Sequence, residues 1–479
     1  MEYRDLRDWI RKVEELGELK TLKKCDWNLE IGAITELVAH RDDGPAVLFD
    51  EIKDYPKGYR VLSNSLSSRK RLALTLDLPV GETKMDFVRT WRERYKKIKP
   101  IPPKFVKKSP LFENVYKDKD VDLLKFPTPK WHDLDGGRYI GTGSIDITRD
   151  PDEGWVNWGT YRVMIHDKDS VGFYISPGKH GRIQREKYIG SGKPCKIAMS
   201  FGHDPLVFLA GSIEVPYAVP EYEFIGGVRG EPMELIEGEY SGLPIPASAE
   251  IVVEGDVVFD QTKVEGPFGE WTGYYGSAER PEPFVRIKRL YHRNDPIILG
   301  SPPGRPPVEL GWYRSYLRSA LIWDEMEKAG VPDVKGVWLM VSGGSRLVIV
   351  VSIKQRYPGH AKQAAVVASQ CHAGAYLGRY VIVVDDDIDP SNTDDVIWAM
   401  SSRSDPDTDI DIIRRCWSGP LDPIIQPGKK GFNSRAIIDA CRPFEWMKDF
   451  PPVAESSKEV LDATAKKWGK VLFSSNGKG

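Results

Sequence analysis

The 479-residue chain lacks an excess of charge of either sign: 68 lysines and arginines stand against 70 aspartates and glutamates, a formal net charge of -2. Bulk electrostatics therefore offers little to a polyanion or an anionic bilayer, so neither nucleic acid nor membrane is an expected partner. Cysteine is scarce as well. Cys25, Cys195, Cys371, Cys416 and Cys441 are scattered without a C-x2-C pair, which excludes a zinc knuckle or disulfide frame and reads as reduced thiols. No apolar run approaches the length of a membrane span, no internal repeat is found, and the charged opening M-E-Y-R-D is unlike a signal peptide. A cytoplasmic location is the expectation. Hydrophobic content is 41%, ordinary for a globular protein, and the length allows two or three domains, each with its own core.

Patterning divides the chain. Leu6, Trp9, Ile10, Val13 and Leu16 recur at three- and four-residue spacing, predicting an amphipathic helix from Asp5 that stops near Gly17. With apolar segments at 31–39, 46–49 and 59–62 it forms a small α/β domain over residues 1–100. The run 96–110 is basic, carries four prolines and has no period, and reads as a linker. Across 111–300 short β-type runs alternate with Gly, Pro and Asp (139–148, 155–166, 171–175, 195–201, 206–209, 251–259 and 284–292), predicting a barrel- or sandwich-like sheet domain that carries the function. From 308 to 479 helical (313–329, 361–376) and apolar strand segments (337–340, 347–353, 380–384) alternate, as in a sheet covered by helices on both faces. The polar tail 474–479 is expected to fray.

Two constellations carry chemistry. In V-E-G-P-F-G-E-W-T-G-Y-Y, residues 264–275, Glu265 and Glu270 flank a segment that Pro267 and two glycines keep from being helical. Paired carboxylates held by a turn push their pKa values apart, so one gives a proton while the other stays ionised; the bland alternative is a solvated loop with two unrelated acids. In V-N-W-G-T-Y-R-V-M, Asn157 and Arg162 are five apart, so a turn or bulge is needed for both to enter one site. His180 follows a Pro-Gly turn in S-P-G-K-H, and Glu221 follows Pro220 in V-P-E-Y-E-F. Asn oxygen, His nitrogen and carboxylate together suit a hard divalent ion bound also to phosphate; singly, each is an ordinary polar residue.

The ordered set N-W-x3-R, P-x-K-H, P-E-Y-E-F-I-G-G-V-R-G-E-P, P-A-S-A-E-I-V-V-E-G and E-G-P-F-G-E-W-T-G-Y-Y resembles the UbiD-type decarboxylases that depend on prenylated FMN (prFMN). The likeness extends from D-L-R-D-W-I to I-K-Q-R-Y-P-G-H-A-K and V-D-D-D-I-D-P. It implies a multidomain α/β fold: an N-terminal α/β domain, a central flavin-binding split β-barrel-like domain, and a C-terminal α/β domain for pocket closure and oligomerisation.

The resemblance also implies roles. Asn157, His180 and Glu221 would hold Mn²⁺ or Mg²⁺ bridging to the cofactor phosphate. Trp158, Tyr161, Lys179 and a strand-end segment Gly211, Ser212 and Ile213 would lie along the cofactor, and Lys362 would contact its phosphate, the alternative for Lys362 being an ordinary helix-surface lysine. Arg162 would pair with Glu265 and the substrate carboxylate, and Glu270 would be the acid protonating the product carbon after decarboxylation through a covalent substrate–prFMN adduct. Arg403 with backbone near Trp158, Ala210 and Glu221 would form a K⁺ or Na⁺ site. Substrate contacts would come from Trp312, Tyr313, Arg314, Ser315 and Tyr316, whose bulk and polarity favour an aromatic or heteroaromatic acid. A 4-hydroxybenzoate or polyprenyl-hydroxybenzoate decarboxylase, a carboxylase fixing CO₂ and a catalytically silent subunit of a larger carboxylase are the alternatives. A flavin prenyltransferase supplying the cofactor, and a homodimer or homohexamer, are the implied partners. Asp385, Asp386, Asp387 and Asp389 read as a solvated turn or subunit contact rather than a metal cluster, and Gly141 to Gly143 lacks the strand-to-helix context of dinucleotide binding.

Overall fold

Asp5 accepts a hydrogen bond from the Asp8 N–H and caps a helix, Leu6–Glu15, that buries Leu6, Trp9, Ile10 and Val13, the face predicted by spacing. The computed structural model describes residues 1–473 except 214, 216–218, 277, 420, 427, 428 and 430. Of the predicted calls, the tail 474–479 lies outside these residues.

The first sheet orders Leu19–Lys23, Ala46–Asp50, Arg60–Ser63 and Ile297–Gly300. Its last strand arrives from the end of the central segment and pairs in parallel with Arg60–Ser63. The predicted linker carries a short strand, Lys104–Phe105, which joins Glu234–Glu237 and Pro244–Pro246 in a three-stranded sheet.

The central segment forms a nine-stranded antiparallel sheet. Its path runs Arg138–Gly141, Val163–Asp167, Ser170–Gly172, Arg280–His292, Ile251–Glu265, Lys196–Gly202, Ile145–Arg149 and Val156–Gly159, with Asn114–Lys117 added on Arg280–His292. Register shifts between Ser170 and Val171, Ser200 and Gly202, and Glu254 and Gly255 mark bulges, the device that curls a sheet into a half-barrel. Alternation places Ala198 and Val252 in one core and Ile197, Met199, Ile251 and Val253 in the other.

Residues 206–209, predicted as a strand, belong instead to a helix, Pro205–Ser212. Asp204 caps it through the Leu206 N–H and Pro205 stands in its first turn, but Pro205 through Ala210 are all buried, so no period separates helix from strand. Gly211 and Ser212 therefore end a helix, with Ile213 as its C-cap, and are not a strand end.

The C-terminal segment opens with helix Glu309–Lys328 and a sheet ordered Val334–Leu339, Val348–Ile353, Tyr380–Asp385, Phe432–Ala440, Ile410–Trp417. Its three middle strands are parallel and its edges antiparallel. The helix predicted over 361–376 is broken at Cys371, whose extended backbone separates His360–Gln370 from His372–Ala375. Among the described residues no helix is long and apolar enough to cross a membrane.

Candidate active site

Glu265 is the last residue of strand Ile251–Glu265, and its side chain is fully buried. Beyond it the chain turns sharply: Gly266 has φ +82°, and a Cβ on the neighbouring Gly136 would stand 2.0 Å from the Gly266 carbonyl oxygen. The loop then folds on itself, with the Glu270 N–H donating to Tyr274 O at 2.9 Å and the Gly273 N–H to Glu270 O at 2.9 Å. This is the turn predicted from Pro267 and the glycines, and it aims both carboxylates at one cation.

That cation is Arg162. Its Nη2 donates to Glu265 Oε2 at 2.7 Å and its Nη1 to Glu270 Oε1 at 3.3 Å. The guanidinium lies 4.3 Å from the Tyr174 ring centre, and the Tyr139 hydroxyl donates to Glu265 Oε1 at 3.2 Å. Arg162 reaches this position because the strand Val156–Gly159 stops. The Thr160 N–H turns to Gly211 O at 3.1 Å, and the Tyr161 N–H donates to the buried Asp146 carboxylate at 2.9 Å. The break supplies the turn that the five-residue spacing of Asn157 and Arg162 requires.

Two acids share one guanidinium in a dry site, and the electrostatics follow. Burial, reinforced by Glu265, raises the Glu270 carboxyl to about 7 against the pull of Arg162, Arg280 and Arg314. Burial would lower Arg162, but Glu265 and Glu270 outweigh it and hold the guanidinium above its ordinary value. Glu270 is thus poised to exchange a proton near neutrality.

On the other side of Thr160, two sets of hydrogen bonds hold Glu221 and Asn157, the second ending beside His180. The Trp158 N–H donates to Glu221 Oε2 at 2.9 Å; the Asn157 Nδ2 donates to the Tyr161 hydroxyl at 3.3 Å, which also accepts the Gly181 N–H at 3.1 Å, next to His180. Glu221 is buried in the first turn of helix Glu221–Arg229, and burial without a cationic partner raises it to about 7. Both Asn157 hydrogen bonds use the amide nitrogen, so the oxygen is the group left to ligate. His180 is exposed beside the Trp155 ring, with ring centres 4.9 Å apart, and burial of its inner edge together with Lys179 lowers its pKa, favouring the neutral imidazole that ligates. Among the described residues no group of three or more His, Cys, Asp or Glu could hold a metal. The predicted set contains only two such side chains and is completed by an amide. Trp158 Nε1, Thr160 Oγ1 and Asp146 Oδ1 are buried without a hydrogen-bond partner among the described residues, Trp158 and Asp146 on opposite faces of the sheet.

Ser212 ties the end of helix Pro205–Ser212 to the C-terminal helix. The Tyr313 hydroxyl donates to Ser212 Oγ at 2.9 Å and Arg314 Nη2 to Ser212 O at 3.1 Å. Gly211 packs so closely that a Cβ would meet Ile145 Cδ1 at 2.3 Å. Ile213 and Arg314, with Trp91, Tyr95 and Leu317, line a small cleft.

Four predicted residues have other partners in the structure. Ser315 faces the C-terminal core, bonded at 2.8 Å to Ser345 Oγ. Lys362 sits on an exposed helix face, ion-paired to Asp411 at 2.8 Å, and among the described residues no contact joins it to the Asn157 network. Arg403 is buried between Asp385 and Asp387 (Nη1 to Asp385 Oδ2 3.2 Å, Nη2 to Asp387 Oδ2 2.9 Å), so it is spent within the C-terminal domain and does not frame a cation site. Asp385 itself is buried and also accepts from Arg442 and Gln355, so of the predicted solvated turn or subunit contact this residue is an ion-pair hub and not solvated. Tyr139, Asp146, Tyr174 and Arg280 were not singled out, because a lone polar residue on an apolar strand leaves no local pattern.

The whole chain was compared with known proteins. Family models of the 3-octaprenyl-4-hydroxybenzoate carboxy-lyase (UbiD) N-terminal, Rift-related and C-terminal domains match residues 10–91, 104–306 and 312–440. The chain is 34% identical over 452 residues to a phenolic acid decarboxylase of Sedimentibacter hydroxybenzoicus, covering 92% of each chain. It is 32% identical over 459 residues to the pyrrole-2-carboxylic acid decarboxylase of Pseudomonas aeruginosa, covering 92% and 91%. Among solved structures it resembles the UbiD-class enzyme HmfF of Pelotomaculum thermopropionicum in complex with FMN (TM-score 0.83, 29% identity, 95% of this chain and 98% of that one). An evolved dimeric form of HmfF in complex with prFMN gives 0.80 at 29% identity, covering 95% and 97%.

Proposed function

The chain belongs to the UbiD family of carboxy-lyases, and from that premise we propose that it catalyses the reversible, non-oxidative decarboxylation of an aromatic or heteroaromatic carboxylic acid with prenylated FMN as cofactor. The convergence of Glu265 and Glu270 on Arg162 carries this reading. Loss of CO₂ leaves an electron pair on the ring carbon, and prenylated FMN, when bound, supplies the conjugated system that accepts it.

The chain's own residues do the rest. Arg162, which donates Nη2 to Glu265 and Nη1 to Glu270, would orient the substrate carboxylate with a planar fork of donors that lysine does not match. Protonated Glu270 delivers its proton to the carbon vacated by CO₂, and its carboxylate takes that proton back in the reverse direction. The buried Tyr139, Phe268 and Tyr174 rings keep water from the pair. Asn157 oxygen, neutral His180 and Glu221 would hold Mn²⁺ or Mg²⁺, neutralising the Glu221 carboxylate and the cofactor phosphate together. Trp158, Tyr161, Lys179 and Gly211 to Ile213 would border the cofactor, and Tyr313 and Arg314 would meet the substrate. Ring acids are favoured by the phenolic and pyrrole-2-carboxylic substrates named for the two relatives.

A flavin prenyltransferase would supply the cofactor. Helix Lys458–Phe473 exposes Val460, Leu461, Trp468, Val471, Leu472 and Phe473, which supports a homo-oligomer assembled through the C-terminal region. Five free cysteines fit a reducing cytoplasm.

The test is co-expression with a flavin prenyltransferase, followed by absorbance and mass analysis and a screen of aromatic acids for CO₂ release and for deuterium exchange at the product carbon in D₂O. Turnover of a ring acid by the loaded protein is expected. Loaded protein that turns over no ring acid would overturn the proposal in favour of a silent cofactor-binding subunit.

A further inference from the structure

Trp271 follows Glu270 directly and is buried, yet nothing in the chemistry above uses it. It packs against a turn of the C-terminal domain: a Cβ on Gly344 would fall 2.6 Å from Trp271 Cε3 and 3.0 Å from the Trp271 carbonyl oxygen, so the indole and its backbone rest on a bare glycine. Gly344 has φ +62° and caps the short helical turn Val341–Gly343. Arg346, two residues on, lies 5.9 Å from the Trp271 ring centre and 5.8 Å from that of Tyr376. Ser345, between them, donates to Gly311 O at 2.6 Å and bonds Ser315 Oγ at 2.8 Å, both on helix Glu309–Lys328, which presents Arg314. One turn therefore supports the proton-donor loop on one side and the helix of Arg314 on the other.

We propose that Gly344 and Ser345 are positioning residues for proton transfer, Gly344 setting Glu270 through Trp271 and Ser345 setting Arg314 through helix Glu309–Lys328. The inference rests on Glu270 being the proton donor. The charged groups facing Glu270 are Arg162, Glu265, Arg280 and Arg314, and the first three stand on elements this turn does not touch. Movement of the loop therefore changes the distances from Glu270 to Arg162, Glu265 and Arg280 while leaving those groups in place. A displacement of about 1 Å suffices to cost about 100-fold in rate.

The experiment compares Gly344→Ala, Trp271→Leu, the double variant and Ser345→Ala in cofactor-loaded protein. Gly344→Ala is expected to lower kcat about 10- to 100-fold with KM within about twofold, and Trp271→Leu in the same chain to recover part of that loss, because the leucine vacates the space the new methyl enters. Were Gly344 needed only for its backbone angle, the two losses would add and no rescue would appear, which would overturn the proposal. Ser345→Ala is expected to act chiefly on KM, through Arg314. A second readout needs no turnover: the Glu270 carboxyl, followed by infrared difference against Glu270→Gln, should titrate at a different pH in Gly344→Ala than in the parent, and an unchanged midpoint would refute the positioning role. Should Gly344→Ala fail to fold, Trp271→Leu carries the same titration, with the same two outcomes. Failure of the parent on every ring acid would count against the proposed reaction, whereas an unshifted midpoint in an active parent counts against this inference alone.

Discussion

Glu270→Gln separates electrostatics from shape. The amide keeps the oxygen that accepts from Arg162 Nη1, so the loop has no steric reason to move, but it removes the acidic proton. A positioned general acid is worth about 10²- to 10⁴-fold, so kcat should fall by that factor, roughly 3–5 kcal/mol of barrier. The pH dependence has a definite sign. Because the carboxyl is raised to about 7, kcat/KM for decarboxylation, which needs the protonated form, should be level below that pH and fall through it. Solvent-deuterium exchange into product, which needs the carboxylate, should rise through the same pH. Glu270→Gln should show neither limb.

Stability moves the other way. A carboxyl raised from 4.5 to about 7 binds its proton more tightly folded than unfolded. It therefore costs nothing below pH 4.5, and the cost grows as pH climbs toward 7 and is complete above it. At about 1.4 kcal/mol per pH unit the full cost is about 3 kcal/mol, an upper bound on what the amide can recover. At pH 8 the variant should be at least as stable as the parent in chemical denaturation, and near pH 4.5 the two should coincide. Wild-type turnover in Glu270→Gln, or a parent profile with no break near neutrality, would refute the assignment; a variant several kcal/mol less stable at pH 8 would refute the electrostatic reasoning.

Removing Arg162 should be structurally expensive: among the described residues Arg162→Ala leaves the fully buried Glu265 with only the Tyr139 hydroxyl, and a loss of about 3–5 kcal/mol is expected in chemical denaturation. His180→Ala should instead cost about 1 kcal/mol or less, the worth of its edge contact with Trp155, while abolishing Mn²⁺ and flavin retention by metal analysis and absorbance. Retained metal and flavin would sink the proposed ligand set. Arg403→Ala takes one of two cations from the buried Asp385, which keeps Arg442, and should destabilise the fold by about 2 kcal/mol, with the response of activity to K⁺ or Na⁺ unchanged. A selective loss of that response would restore Arg403 to a cation site.

What the sequence determined by itself was whatever is written locally. Apolar spacing placed helix Leu6–Glu15 and some of the strands of each domain, because burial of one face imposes its period on neighbouring residues. Pro267 and its glycines announced a turn, and the ordered motifs, read as a resemblance, named the family. Where the local signal was degenerate the reading failed: Pro205–Ser212 is apolar all round and helical, and an apolar run of that length satisfies either geometry. Only tertiary structure decided which charges meet. Arg162 and Glu265 stand 103 residues apart and touch because the antiparallel sheet curls their strands around one space. By the same means Arg403 was claimed by Asp385 and Asp387, Lys362 by Asp411, and Ser315 by Ser345. An ion pair or hydrogen bond depends on distance in space and on exclusion of water, and neither leaves a period in the chain.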